Sequence, residues 1–187
     1  LMGDFLLSKA LINMIRLKDF DALERISVTA EKLSAGEILQ IEKSMTKSMD
    51  EDTYFDMIGQ KTASLIATSC ELGAITTTKK GSDRKSTFDF GHNLGMAFQI
   101  KDDLFDIIGS ESETGKNGNS DVKKNMITLP IIYSRTQMTR SQKRHLNRLL
   151  NTKRKTKNIL SKIQELVEET GGIQYSIDKM KEYSDLA

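Results

Sequence analysis

Apolar residues recur at helical spacing along most of the chain, and the alternating runs typical of strands are rare. The pattern predicts helices over residues 1–17, 20–45, 53–75, 84–108, 123–138, 141–150, 154–169 and 173–186. Helix-breaking residues are few. Pro130 is the single proline, and the glycine pair Gly171 and Gly172 separates the last two predicted helices. The sequence therefore predicts an all-α fold.

The segment from Gly109 to Asp121 is rich in Gly, Ser, Asn and Thr, which indicates a surface loop. No internal repeat or low-complexity tract is found, so residues 1–187 are expected to form a single domain. The chain opens inside an apolar helix and lacks the basic region and the small-residue cleavage site of a signal peptide. We therefore expect it to be part of a longer protein.

Composition narrows the class of protein further. The chain of 187 residues is 37% hydrophobic and 29% charged, which is enough for a real hydrophobic core. No apolar run approaches the roughly 20 residues needed to cross a bilayer. The net charge of +2 gives no argument for nucleic acid, and the single Cys70 fits a reducing compartment. We expect a cytoplasmic protein with no transmembrane segment and no nucleic-acid partner.

The clearest chemical signal is the run from Asp102 to Asp106, which carries carboxylates at Asp102, Asp103 and Asp106. On an α-helix these positions are displaced by about 100° and 40° from the first, so all three are expected on one face. Like charges so close are unfavourable unless a cation or solvent relieves them. Hard oxygen ligands suit Mg²⁺. A solvated acidic helix end is the alternative, and the pattern alone does not decide between the two.

Small and polar residues precede the carboxylates on the same face, at Gly91, Gly95 and Gln99. Glycines four residues apart let another backbone come close or leave room for a ligand, and helix packing is the favoured interpretation. The opposite side of the helix is expected to be apolar, through Leu94, Phe98, Ile100, Leu104, Ile107 and Ile108.

Lys61 and Thr62 interrupt the apolar stripe of the third predicted helix. That stripe contains Tyr54, Phe55, Ile58, Leu65, Ile66 and Leu72. A lysine on a buried stripe must pair with an anion or reach water along its aliphatic stem, and the second is the usual outcome. Facing a metal-bound diphosphate, however, its ammonium would be a fixed cation against phosphate oxygens.

Two other features are candidate anion or metal sites. Lys116 lies between Gly115 and Gly118 in a loop that could close over an anion or be an ordinary solvent loop, and it lacks the order of a P-loop. His92 and His145 are far apart without ligand spacing, so neither suggests zinc.

Taken in order, several short motifs resemble those of the polyprenyl synthase family, and they span almost the whole chain. They are Gly3-Asp4-Phe5-Leu6-Leu7 (GD(Y/F)LL), Gly36-Glu37-Ile38-Leu39-Gln40 (GExxQ), Lys61-Thr62-Ala63 (KTA), the aspartate-rich segment from Phe98 to Asp106, Thr114-Gly115-Lys116 followed by Asp121 and Thr128-Leu129-Pro130, and Gly171-Gly172-Ile173.

The resemblance implies an antiparallel helical barrel of the isoprenoid synthase type, here lacking its N-terminal helices, and usually a homodimer. It also implies a reaction. Mg²⁺ ions held by two aspartate-rich motifs clamp an allylic diphosphate, ionisation gives an allylic cation, isopentenyl diphosphate adds through its double bond, and a proton is lost. The charge of the metal stabilises the leaving diphosphate.

The same resemblance assigns roles to individual residues. Asp102 would be the main metal ligand, with Asp103 and Asp106 acting through metal-bound waters or as secondary ligands. Lys61 and Lys116 would hold the allylic diphosphate. The catalytic set would be Lys61 with Thr62 and Gln99, which line the site where positive charge develops. Phe98 would contact isopentenyl diphosphate.

Two departures from the family pattern bear on function. The first DDxxD of the family, with its two arginines, lies upstream of the GD(Y/F)LL helix, before residue 1. Asn125 and Met126 stand where the family usually has Gly-Lys, which removes one cation from the diphosphate pocket. The resemblance is closest to medium- and long-chain bacterial enzymes such as octaprenyl diphosphate synthase. A non-catalytic partner subunit of a heteromeric synthase, a helical interaction module and a terpene cyclase are the alternatives.

Overall fold

The computed structural model describes residues 1–108, 122, 126–152, 154 and 156–187, and within these ranges the chain is helical and contains no strand. The elements are α1 (Met2–Leu17), α2 (Phe20–Thr46), α3 (Glu51–Ile58), a π-helical segment (Gly59–Ala63), α4 (Ser64–Ile75), α5 (Gly81–Ile108), α6 (Leu129–Gln137), α7 (Arg140–Asn151), α8 (Lys157–Glu169) and α9 (Gly172–Leu186). The all-α prediction is confirmed. The predicted loop from Gly109 to Asp121, with Lys116, lies outside the described residues. Over those same ranges, no helix is long and apolar enough to span a membrane.

Several helices begin where the sequence supplies a capping side chain. The Asp50 carboxylate accepts a hydrogen bond from the Thr53 backbone N–H at 2.8 Å, and this bond holds the pKa of Asp50 below its usual range. Asp19 caps α2 in the same way. Thr139 and Gln142 form a reciprocal capping box at the start of α7.

The third predicted helix is a continuous rod that contains one wider turn. The Ser64 backbone N–H donates to the Gly59 carbonyl, five residues back, which defines the π-helical segment between α3 and α4. The segment adds one residue to the turn. Buried positions therefore run through Tyr54 and Ile58 and then shift by one residue to Ala63 and Ala67.

This shift corrects the apolar stripe predicted from the sequence. A constant period of 3.6 residues places Leu65 on the buried face, yet Leu65 is 49% exposed. Glu71 is buried on the shifted face instead, where it pairs with Arg25 of α2. The extra residue rotates everything after Ile58 relative to the pattern read from the sequence.

The long helix α5 packs most extensively against α4 and α9. A Cβ atom at Gly95 would lie 2.6 Å from the Cα of Ala63, and one at Gly91 would lie 2.8 Å from the Cα of Ala67. The two glycines therefore serve close helix packing, as predicted. The predicted apolar side is only partly correct, because Leu104 is buried whereas Phe98 is 57% exposed. Leu94 is exposed as well.

One continuous cluster of buried side chains joins α3 to α8. It runs from α3 and α5 through Leu129 and Ile131 of α6 to Leu146 of α7 and Ile163 of α8. By contrast, α1 lies against α2 and buries none of its own side chains in the described structure.

A buried hydrogen bond fixes α3 against α5. The Tyr54 hydroxyl donates to the Asp103 carboxylate at 2.7 Å, and the two residues are 0% and 4% exposed. A carboxylate can be buried at tolerable cost only where hydrogen bonds replace its water. This contact therefore sets both the spacing of the two helices and the orientation of Asp103.

The glycine contact gives a first prediction. Gly95→Ala should lower the free energy of unfolding by about 1–3 kcal/mol, because its methyl group collides with the backbone of Ala63 at the end of the π-helical segment. Gly73→Ala is the matched control, since no described atom lies within 4 Å of the added Cβ, and it should stabilise the chain by up to about 1 kcal/mol. Urea denaturation of the two variants measures both. Equal stability of the two variants would contradict the packing role.

The buried hydroxyl gives a second prediction. Tyr54→Phe should lower the free energy of unfolding by about 1–3 kcal/mol, because the Asp103 carboxylate loses a donor inside the core. Tyr183→Phe serves as control, since the Tyr183 hydroxyl makes no hydrogen bond to any described residue, and its effect should stay within about 0.5 kcal/mol. Thermal unfolding checks the difference, and a Tyr54→Phe variant as stable as the control would refute it.

Candidate active site

A cavity of about 310 Å³ opens between α2, the π-helical segment, α5 and the residues that lead into α6. Its walls bring together five of the residues predicted from the sequence: Lys61, Thr62, Gln99, Asp102 and Asp103. The remaining lining residues are Gln40, Lys43, Ser44, Met49, Met57, Ile58, Met126, Ile127 and Thr128. Lys61 and Asp102 therefore line the same cavity.

Helix α2 holds Lys61 in place. A Cβ at Gly36 would lie 2.7 Å from the Lys61 backbone nitrogen, so the missing side chain lets the two backbones approach. The Lys61 ammonium lies 2.7 Å from a carboxylate oxygen of Glu37 and donates a hydrogen bond to the Gln40 side-chain carbonyl. Lys61 therefore pairs with an anion rather than extending into solvent.

The partners Glu37 and Gln40 were not assigned a role from the sequence. Their signal is the spacing of the GExxQ motif, because Gly36, Glu37 and Gln40 lie within one turn and present neighbouring positions of α2 to the π-helical segment.

A chain of hydrogen bonds orders the polar wall of the cavity. The Thr62 hydroxyl donates to the Gln99 side-chain carbonyl at 2.8 Å, and the Gln99 amide nitrogen donates to one Asp103 oxygen at 2.8 Å. The other Asp103 oxygen accepts the bond from Tyr54. The buried Asp103 carboxylate thus orients Gln99, and Gln99 in turn orients Thr62 beside Lys61.

The three aspartates occupy different surroundings. Asp102 is half-buried and lines the cavity, Asp103 lines it from the buried side, and Asp106 is half-buried but is not among the lining residues. Among the described residues, no group of three or more His, Cys, Asp or Glu side chains is arranged to hold a metal. Mg²⁺, however, is usually bound by one or two carboxylates with waters and substrate phosphates, so the oxygen donors of Asp102 and Asp103 suit this ion.

The other predicted substrate residues lie elsewhere. Phe98 is exposed on α5 and does not line the cavity, and Lys116 falls outside the described residues. Met126 lines the cavity, so the apolar side chain that stands where the resemblance implies a lysine lies at the site itself. Lys43 was missed, although it follows Gln40 by three residues on the same face of α2.

The sequence of this chain is similar to those of known prenyl diphosphate synthases. The family model for polyprenyl synthetase matches residues 1–169. Solanesyl diphosphate synthase 3 of Arabidopsis thaliana is 30% identical over 187 residues, which cover 100% of this chain and 43% of the relative. Heptaprenyl diphosphate synthase component 2 of Bacillus subtilis is 33% identical over 175 residues, covering 94% of this chain and 49% of the relative. The chain thus spans about half the length of these curated relatives.

A solved structure shows the same fold. The polyprenyl synthase from Caulobacter crescentus CB15, complexed with calcium and isoprenyl diphosphate, superposes with a TM-score of 0.90 at 28% identity. The match covers 98% of this chain and 56% of that one. The predicted isoprenoid synthase fold is therefore confirmed, and the chain belongs to the polyprenyl synthetase family.

Proposed function

We propose that the chain contributes the active site of a prenyltransferase that condenses isopentenyl diphosphate with an allylic diphosphate, assisted by Mg²⁺, to make a polyprenyl diphosphate. The observation that carries the proposal is the shared cavity, whose lining includes Asp102 and Lys61 together with the hydrogen-bonded pair of Thr62 and Gln99. The structural neighbour with calcium and isoprenyl diphosphate supports a divalent cation and a diphosphate at a site of this family.

Each residue then has a task that follows from its chemistry. When bound, Mg²⁺ supplies positive charge that stabilises the leaving diphosphate. Asp102 would hold the ion from the cavity, with Asp103 and Asp106 acting through its waters or as secondary ligands. Lys61 binds phosphate oxygens with an ammonium that Glu37 and Gln40 already orient. Lys116 would assist it, as the resemblance implies.

Thr62 and Gln99 act where positive charge develops on the allylic carbon. The Thr62 hydroxyl proton is directed at Gln99, which leaves the lone pairs of the Thr62 oxygen for the substrate side. Fixed oxygen dipoles beside a developing cation stabilise it without reorganisation during the reaction. Phe98 would contact isopentenyl diphosphate, a role that rests on the resemblance.

A homodimer is part of the proposal. Apolar side chains of α1, including Leu6 and Ile15, are exposed and offer apolar surface for a subunit contact. A cytoplasmic location and a medium- or long-chain product comparable to octaprenyl diphosphate stay predictions.

A partner subunit of a heteromeric synthase is the second candidate. Met126 in the cavity, in place of a lysine, favours it mildly, and one relative is named as a component of a heptaprenyl synthase. Asp102 and Lys61 in one cavity favour the enzyme. The coding sequence upstream of residue 1 separates the two, because a DDxxD followed by two arginines would identify the catalytic chain.

The metal role of Asp102 can be tested by binding. Asp102→Asn should weaken Mg²⁺-dependent binding of inorganic diphosphate at least about tenfold, because the cavity loses a charged oxygen ligand. Asp89→Asn is the control, since Asp89 lies on the same helix, pairs with Lys85 and is not a lining residue. Isothermal titration calorimetry with and without MgCl₂ gives both affinities. Unchanged binding by Asp102→Asn would refute the metal site.

The activity of these 187 residues alone can be tested directly. One aspartate-rich helix cannot hold the full metal cluster of the proposed reaction, so the purified chain should form no condensation product. Incubation with labelled isopentenyl and allylic diphosphates and Mg²⁺, followed by chromatography of the extracted lipids, measures this against a sample without protein. Appreciable product would contradict the requirement for a second aspartate-rich motif.

A further inference from the structure

We infer that Lys43 is a further diphosphate-binding cation of the cavity and supplies the positive charge that Met126 does not. The inference rests on the proposed function, because it concerns the ligand of the same site. It concerns a residue that lies outside the motifs that resemble those of the polyprenyl synthase family.

The position of Lys43 follows from the geometry of α2. Gly36, Gln40 and Lys43 are spaced by four and three residues, so they share one face of the helix. Gly36 contacts the π-helical segment, and Gln40 accepts a hydrogen bond from Lys61. Lys43 comes one turn later and lines the same cavity as Asp102.

Lys43 and Lys61, the two lysines among the described lining residues, differ in their partners. The Lys61 ammonium already contacts Glu37 and Gln40. The Lys43 ammonium makes no hydrogen bond or ion pair to any residue that the structure describes, and its side chain is only half-buried. The charge of Lys43 helps to lower the pKa of Asp50, but the two side chains form no ion pair. A flexible ammonium beside a cavity is suited to bind an anion that enters.

Met126 provides an internal test of this role. It lines the same cavity from the segment before α6, on a different part of the chain from Lys43. A lysine introduced at Met126 would place an ammonium on the same hollow from another backbone position. If the function of Lys43 is its charge, the two positions should be able to replace one another.

Lys43 also lies in the last turn of α2, where a cation favours the helix dipole, so a structural role must be separated from binding. A structural role would lower stability and leave the affinity for anions unchanged. Each variant is therefore measured for thermal unfolding as well as for binding.

The experiment is a calorimetric titration of the chain with inorganic diphosphate at fixed MgCl₂. Lys43→Met should weaken binding about tenfold, as expected for the loss of one charge-assisted contact. Lys32→Met, the same charge change on an exposed part of α2 away from the cavity, should bind like the unsubstituted chain. The double variant Lys43→Met with Met126→Lys should recover most of the affinity.

The outcomes separate this inference from the proposed function. If the unsubstituted chain shows no Mg²⁺-dependent binding, or if Asp102→Asn leaves binding intact, the proposed function fails and the inference fails with it. If Asp102→Asn weakens binding but Lys43→Met does not, only the role of Lys43 is overturned. Failure of Met126→Lys to recover any affinity would overturn it too, because the loss would then not come from missing charge.

Discussion

The buried carboxylate of Asp103 is the constraint around which the cavity is organised. A carboxylate in the core is costly unless hydrogen-bond donors surround it. Removing one donor and leaving the charge buried destabilises a protein more than replacing the whole group by apolar side chains. Here Tyr54 of α3 and Gln99 of α5 donate to its two oxygens. Because Gln99 also accepts from Thr62, the same carboxylate links two helices and the π-helical segment. Packing and site geometry therefore depend on a single side chain.

The π-helical segment makes this linkage possible. It inserts one residue between Ile58 and Ala63, so that apolar residues on both sides remain buried while Lys61 and Thr62 reach the cavity. A regular α-helix could not satisfy both requirements, because its period of 3.6 residues is fixed. Wider turns of this kind occur often at functional sites. Gly36 and Gly95 complete the arrangement by letting α2 and α5 approach this segment closely.

Much of this could be predicted from the sequence, for reasons that lie in local physics. Helical periodicity predicted the all-α fold, glycines spaced by four indicated close packing of α5 against another backbone, and the resemblance of the motifs implied that Lys61 and Asp102 share one site. The sequence did not reveal the wider turn, because a constant period is assumed when a stripe is traced, and Leu65 was therefore placed on the wrong face.

Other features depend on contacts between distant segments. The exposure of Phe98 depends on which faces of α5 its neighbours cover, and the bond from Tyr54 to Asp103 joins residues 49 positions apart. The role of Glu37 and Gln40 follows from the close approach of Gly36 to the Lys61 backbone, which brings both side chains to the Lys61 ammonium. Composition carries no information about such pairings, and the spacing of the GExxQ motif does not by itself identify Lys61 as the partner.

The pairing of Lys61 with Glu37 has a consequence for ligand exchange. A lysine side chain carries about 2 kcal/mol of rotamer entropy, and much of that freedom is already lost when Glu37 and Gln40 order it in the empty cavity. An incoming anion thus meets a pre-ordered ammonium, but it must compete with a resident carboxylate for that charge. In the proposed reaction, Glu37 therefore competes with the diphosphate for Lys61 and would ease its release.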